Sequence, residues 1–356
     1  MRIALGILIA LAVSVAVQGA SGSGLALREF GLYEIHIDGS ARTSLLANPD
    51  IHEVGELSPD RTRFLFQYER RQPDGLYSAA LDGSDVRLVA SLPEQRGINT
   101  ATWSPDGNRI AIGAYDLTPC TPTGTNCAVG EIWLAKADGG GLRQLVRRAI
   151  APAWSRDSQR LAYIGSFNAY GEAGALTVGN TRGLLRARRL GPIEYGIWES
   201  WDLVWSPRGN QIGYTTVRRK GEPSGRARVA IAEASGCSKR CVHVPRAGTF
   251  TGWSPGGKRI LYWEGRSGRL IVSWPDGRQR HLVTAGLGPA KWSPNGRWVA
   301  FVDEVGRGSQ CYQLFLVQPD GQGRHQVTHE DCSARFDPSW SLDSKRLIYR
   351  LSVYDP

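Results

Sequence analysis

The ten residues WSPDGNRIAI, Trp103 to Ile112, decide the fold, because the same string recurs with drift along the chain. The other copies are LSPDRTRFLF from Leu57, WSRDSQRLAY from Trp154, WSPRGNQIGY from Trp205, WSPGGKRILY from Trp253, WSPNGRWVAF from Trp292 and WSLDSKRLIY from Trp340. In each, Pro presets φ for a turn and Asp-Gly or Asn-Gly supplies residues that favour positive φ. The turn therefore joins a short strand ending in Trp-Ser to a β-rich strand such as Arg109-Ile110-Ala111-Ile112. A second cassette follows, as in GLYSAALDG from Gly75, EIWLAKADG from Glu131, RLIVSWPDG from Arg269 and YQLFLVQPDG from Tyr312. It holds a strand, a Gly-containing turn and a polar outer strand such as Gln279 to Thr284. Four antiparallel strands per repeat, A to D, make one propeller blade.

The ends complement each other. After Trp340 there is room for strand B (Arg346 to Tyr349), while the chain opens with an orphan second cassette, GLYEIHIDG from Gly31 and RTSLLA from Arg42. The expected fold is therefore all-β, a seven-bladed β-propeller of four-stranded antiparallel blades. Its last blade takes A and B from the C-terminus and C and D from the N-terminus, which covers open sheet edges.

Residues 1–20, with Arg2 followed by an apolar run from Ile3 to Val17, read as an export signal, too short for a membrane span. Residues 21–28 are then a leader and 29–356 a single propeller. A composition of 41% hydrophobic and 21% charged residues excludes a disordered chain and a multi-span membrane protein. The six cysteines fall as local pairs, Cys120/Cys127, Cys237/Cys241 and Cys311/Cys332, without any C-x-x-C spacing. An export compartment favours disulfides over a metal site. In a propeller, B–C and D–A loops share one face, and A–B and C–D turns share the other, so nearest-neighbour pairing is geometrically natural.

The Trp-Ser-Pro-Asp-Gly strings resemble the TolB-type propeller repeat, a WD-repeat-like family of bacterial exported proteins. The chain departs from TolB in leaving no room for a separate α/β domain between the signal segment and Gly31. The resemblance implies fold rather than function, since such propellers serve as scaffolds, lyases and peptidase gates. Among seven-bladed relatives, oligogalacturonate lyases hold a divalent metal with histidines at the channel mouth. Here His52 and His329 fall in D–A loops of adjacent blades, with Glu53, Glu330 and Asp331 beside them. His52, His329 and Glu330 are thus the conceivable metal set, set against the plainer reading of solvated loop histidines. Gly252-Trp253-Ser254-Pro255-Gly256 matches G-x-S-x-G but is the fifth repeat turn, and Pro255 has no N–H for an oxyanion.

The segments ahead of each Trp-Ser read as loops lining the channel entrance. The fourth carries Tyr195, Trp198, Glu199, Trp201 and Asp202; with Phe250, Arg335, Phe336 and Asp337 they form an expected partner face. The net charge of +10 rests on 43 Lys+Arg against 33 Asp+Glu. Local clusters are Arg182, Arg186, Arg188, Arg189 and Arg218, Arg219, Lys220, Arg226, Arg228. They suit an anionic polymer, or are simply solvated surface.

The expectation is an exported, periplasmic or extracellular, non-catalytic binding or scaffold protein. It is expected to be monomeric and peripheral to a membrane at most, with no cofactor and no nucleic acid, its partner a protein or cell-envelope polymer. The alternative is a carbohydrate-active lyase or hydrolase at the channel mouth. Non-reducing peptide mapping should recover the three local cysteine pairs; a Cys127–Cys237 link would overturn the blade assignment.

Overall fold

The Trp-Ser-Pro-Asp-Gly turn is held by its serine. In every copy the serine hydroxyl oxygen accepts the backbone N–H five residues on, from Arg63, Arg109, Arg160, Gln211, Arg259, Trp298 and Arg346, at 2.9–3.4 Å. The same hydroxyl donates to the turn carboxylate in Ser58–Asp60, Ser104–Asp106, Ser155–Asp157 and Ser341–Asp343, at 2.5–2.6 Å. The residue after the Asp position is left-handed in all copies, including Arg61, Ser158 and Ser344 at φ 60, 57 and 60. Two of these departures from glycine have a reason. Ser158 and Ser344 accept the N–H of Asp106 and Asn295 in the preceding blade, at 3.0 and 3.1 Å.

The computed structural model describes residues 27–46, 51–68, 75–116, 129–165, 174–182, 187–193, 203–217, 227–236, 242–306, 309, 311–332 and 334–354. Its strands form seven four-stranded antiparallel blades arranged as a β-propeller. Blade 2 shows the plan: strand A Arg96–Trp103, B Arg109–Asp116, C Val129–Lys136 and D Arg143–Arg147. The closing blade combines Ala334–Trp340 and Arg346–Tyr354 with Leu27–His36 and Thr43–Leu46, in the expected order. One strand, Val242–Trp253, serves as D of blade 4 and A of blade 5, so those blades merge into a seven-stranded sheet.

The segments expected as entrance loops are strands. Arg96–Trp103, Ala149–Trp154, Leu287–Trp292 and Ala334–Trp340 are the innermost A strands, which neighbour one another around the axis. Pro152, Pro289 and Pro338 fall inside these strands. An A strand is an edge strand, where a missing N–H is tolerated. Register shifts at Ile150/Ala153 and Leu287/Ala290 further mark bulged edges.

The core is a set of seams, each one apolar cluster between two blades. Leu65, Val89, Trp103 and Ile112 fill seam 1/2, for instance, and Phe250, Trp253, Tyr262 and Ile271 fill seam 4/5. The blade tryptophan also crosses the seam. The indole N–H of Trp103, Trp154, Trp205, Trp253 and Trp340 donates to the carbonyl of Glu56, Thr102, Ala153, Val204 and Lys291, at 2.9–3.3 Å. Two seams lack this latch. Leu57 has no indole N–H to offer at seam 7/1, and the buried Trp292 Nε1 finds no acceptor among the described residues at seam 5/6.

Removing a latch strands a buried carbonyl. Trp154→Phe should therefore cost about 1–3 kcal/mol in denaturant unfolding, whereas Trp292→Phe, which deletes an unpaired donor, should be near neutral. Equal losses would count against the latch.

Candidate functional site

One inner-strand residue stands immediately before each Trp-Ser. Going round the ring, this column reads Glu56, Thr102, Ala153, Val204, Gly252, Lys291 and Ser339. The column is apolar over blades 3 to 5, hydroxylated at blades 2 and 7, and charged at blades 6 and 1. On the charged side Lys291 Nζ lies 3.2 Å from Asp337 Oδ1. Glu56 Oε2 accepts the Trp103 N–H at 2.9 Å.

Glu56 is exposed and Asp337 half-exposed, yet protein atoms crowd both carboxyls. Enclosure raises the Glu56 pKa, against the opposing pull of Thr102, the Trp103 N–H, Arg61 and Lys291. Enclosure also acts on Asp337, but there Lys291 and Arg350 outweigh it and the pKa falls. Water in the channel screens both effects.

At the loop face of blade 2 the ends of four strands bring charges together. Arg96 Nη2 and Arg147 Nη2 lie 3.0 and 3.4 Å from Asp116 Oδ2, and the two Nε atoms lie 3.5 and 3.4 Å from the Glu131 carboxylate. Glu131 is 0% exposed and also accepts the Trp133 indole N–H at 3.0 Å. Full burial of a carboxylate requires this enclosure by guanidinium groups.

The expected metal set is only partly described. His52 lies on strand Ile51–Leu57, its side chain outside the described residues. His329 is exposed, and its neighbour Glu330 is already engaged. Glu330 Oε1 pairs with Arg42 Nε at 2.6 Å and accepts the Tyr349 hydroxyl at 3.1 Å. Burial pushes the Tyr349 phenol well above its ordinary pKa, so it stays a donor. Among the described residues no three metal-ligating groups converge.

Of the expected partner face, Tyr195, Trp198, Glu199, Trp201 and Asp202 lie outside the described residues, as does the Arg335 side chain. Phe250 and Phe336 do not belong to an exposed rim: they are 2% and 7% exposed, packed in seams 4/5 and 6/7. Phe336 stands four residues before Trp340 and shares its sheet face, while a register shift at Phe250/Gly252 turns Phe250 to the side of Trp253. Asp337 does reach the channel. Sequence reasoning missed Glu56, Lys291, Arg61 and Arg350; reading the column before each Trp-Ser would have exposed the first two.

Cys311 and Cys332 are joined by a disulfide, Cα–Cα 4.0 Å, tying the start of strand C of blade 6 to the loop that precedes blade 7. The other two expected bridges, Cys120–Cys127 and Cys237–Cys241, fall on residues outside those described: Cys120, Cys127, Cys237 and Cys241. The signal segment, Arg186, Arg218, Arg219, Lys220 and Arg226 also lie outside them.

No family model matches the chain, and no curated protein matches it in sequence. Solved structures do. An oligogalacturonate lyase in complex with manganese is 12% identical over 94% of this chain and 99% of that one, TM-score 0.61. The β-propeller domain of the Trilobed protease from Pyrococcus furiosus is 14% identical over 86% and 99%, TM-score 0.53. TolB from Acinetobacter baumannii is 16% identical over 85% of this chain and 63% of that one, at a TM-score of 0.45 that carries no weight.

The two channel carboxyls should titrate stability in opposite senses. For Asp337, whose folded pKa is depressed, stability is present above the unfolded value of about 3.9 and lost as pH falls through the folded one. Lys291→Gln should shrink that acid-side loss. Glu56, with a raised folded pKa, lowers stability as pH rises from about 4.3 through its folded value. Glu56→Gln should abolish this decline, and pH-dependent denaturant melts would show whether it does. Likeness at these identities establishes one thing about the chain: it is a β-propeller.

Proposed function

We propose that the chain is an exported, non-catalytic binding propeller that presents its loop face to a protein or cell-envelope partner. The observation that supports this reading is the commitment of the described carboxylates near the channel mouth. Glu330 is held by Arg42 and Tyr349, Asp116 and Glu131 by Arg96 and Arg147, and Asp337 by Lys291. Groups fixed in ion pairs rigidify a surface and are poor metal ligands or bases. The disulfide at Cys311–Cys332, on the loop face, suits an oxidising compartment.

One observation favours the second reading, a carbohydrate-active lyase or hydrolase. Glu56 is an inner-strand carboxyl whose pKa burial raises, as a general base needs. The two readings separate in one experiment. The full chain is incubated with acidic and neutral polysaccharides, with and without manganese, and new chain ends and unsaturated products are measured. No turnover is expected. Turnover that Glu56→Gln abolishes would overturn the binding reading. In parallel, a photo-crosslinker at His329 on the loop face should capture a discrete envelope component, and one at Lys345 on the turn face should not. Equal capture from both faces would also count against it.

A further inference from the structure

The turn face carries a charge asymmetry that the function proposed above does not use. In blades 1, 2, 3 and 7 the repeat turn holds an acid, Asp60, Asp106, Asp157 or Asp343, and in each the serine hydroxyl donates to it. In blades 4, 5 and 6 the same position is Arg208, Gly256 and Asn295. Three consecutive turns, PRGNQ, PGGKR and PNGRW, are thus cationic and acid-free.

The last residue of the turn differs between blades as well. Where it is arginine in other blades it is tied down. Arg63 pairs with Asp85 at 2.6 Å, Arg346 with Glu34 at 3.1 Å, and Arg109 donates to Thr181 Oγ1 at 2.9 Å. In blade 4 the equivalent Gln211 donates to Glu233 at 2.7 Å. Arg259 of blade 5 has no side-chain partner among the described residues, and neither does Arg297 on the next turn.

These two guanidinium groups line one cleft of about 800 Å³ between blades 5 and 6, a volume within the range of ligand sites. Arg280 and His281 stand in the same wall, with the amides of Gln279 and Gln318. Arg280 is preset by the Tyr262 hydroxyl, 3.0 Å away, and by Glu264. His281 Nε2 meets the Asp320 carbonyl of blade 6 at 2.8 Å, across the seam. The seam is also the one where the Trp292 indole N–H finds no acceptor among the described residues. Its inventory is rich in donors and short of acceptors. Its three guanidinium groups stand against one acid side chain, Asp320, whose Oδ1 accepts the Gln322 N–H of its own turn at 3.0 Å.

We propose that this cleft binds an acidic polysaccharide, its carboxylates taken by Arg259 and Arg297 and its hydroxyls by Gln279 and Gln318. Planar guanidinium forks match carboxylates two bonds at a time. The cations extend from Arg208 and Lys258 to Arg297 over three adjacent turns, a track suited to repeated charges rather than to a single small anion. Recession between two blades favours a thin chain over a flat lipid surface. The site is separate from the loop face, so it stands whether or not a partner docks there.

The test is binding of the full chain to alginate, a linear polyuronate, by calorimetry at low ionic strength. Neutral dextran and phosphatidylglycerol vesicles serve as comparisons. The expected result is binding to alginate and not to dextran, weakened at least ~10-fold in Arg259→Gln/Arg297→Gln, as the loss of two charge-assisted contacts implies. Lys345→Gln, which removes a charge from the equivalent turn of blade 7, should leave affinity within about 2-fold. Both side chains are solvent-facing, and a thermal melt matching wild type verifies that the double variant folds. Absence of alginate binding would overturn the proposal. So would an equal loss in Lys345→Gln, which signals net charge alone, or binding to the vesicles in preference to alginate.

Discussion

One hydrogen bond recurs where the ring could otherwise slip: an indole N–H of one blade donating to the inner-strand carbonyl of the blade before it. A four-stranded blade buries little alone, and its two faces become a core only when neighbours stack on them. The apolar seams supply the free energy of stacking, but apolar contact does not by itself fix how far each blade is rotated or raised. The indole bond does, because it reaches across the seam to one particular buried carbonyl. Trp103, Trp154, Trp205, Trp253 and Trp340 all make it. Seam 7/1, where Leu57 replaces the tryptophan, lies beside the blade that the two chain ends build together. Seam 5/6, where Trp292 misses its acceptor, carries the cationic cleft.

Charge is distributed by the same repeat. On the loop face and in the channel, acids and arginines pair across strands, so that Glu131 is wholly buried yet surrounded by guanidinium groups. On the turn face, hydrogen bonds from the serine hydroxyls and turn N–H groups outweigh partial burial and hold four aspartates ionised. These acids offset the neighbouring basic residues of blades 1, 2, 3 and 7. Blades 4 to 6 have lost that acid. The repeat turns of blades 4 to 6 are therefore left with their cations and without that acid.

Much of this was legible from residue types. The turn, the period, the four-strand blade, the shared closing blade and the Cys311–Cys332 bond all follow from local chemistry plus chain order. Misreadings occurred where a local rule depends on position in the sheet. The segments AIAPAW and GLGPAKW read as entrance loops, but they are A strands, whose free edge accepts their proline. Phe250 and Phe336 read as rim, yet their strand direction turns them into seams. Arg42, distant in sequence, stands beside Glu330, a contact that the loop residues by themselves do not announce.

The sequence by itself determined the blade and the ring, because a turn needs only the residues inside it and a repeat needs only its neighbours. Which charges are free was decided by tertiary structure alone. Arg63 and Arg259 occupy the same position of the repeat, and the partner that separates them lies outside it. Asp85 meets the first across its blade, while no described acid meets the second. Pairing is a property of distance between strands far apart in the chain, and that distance exists only once the ring has closed.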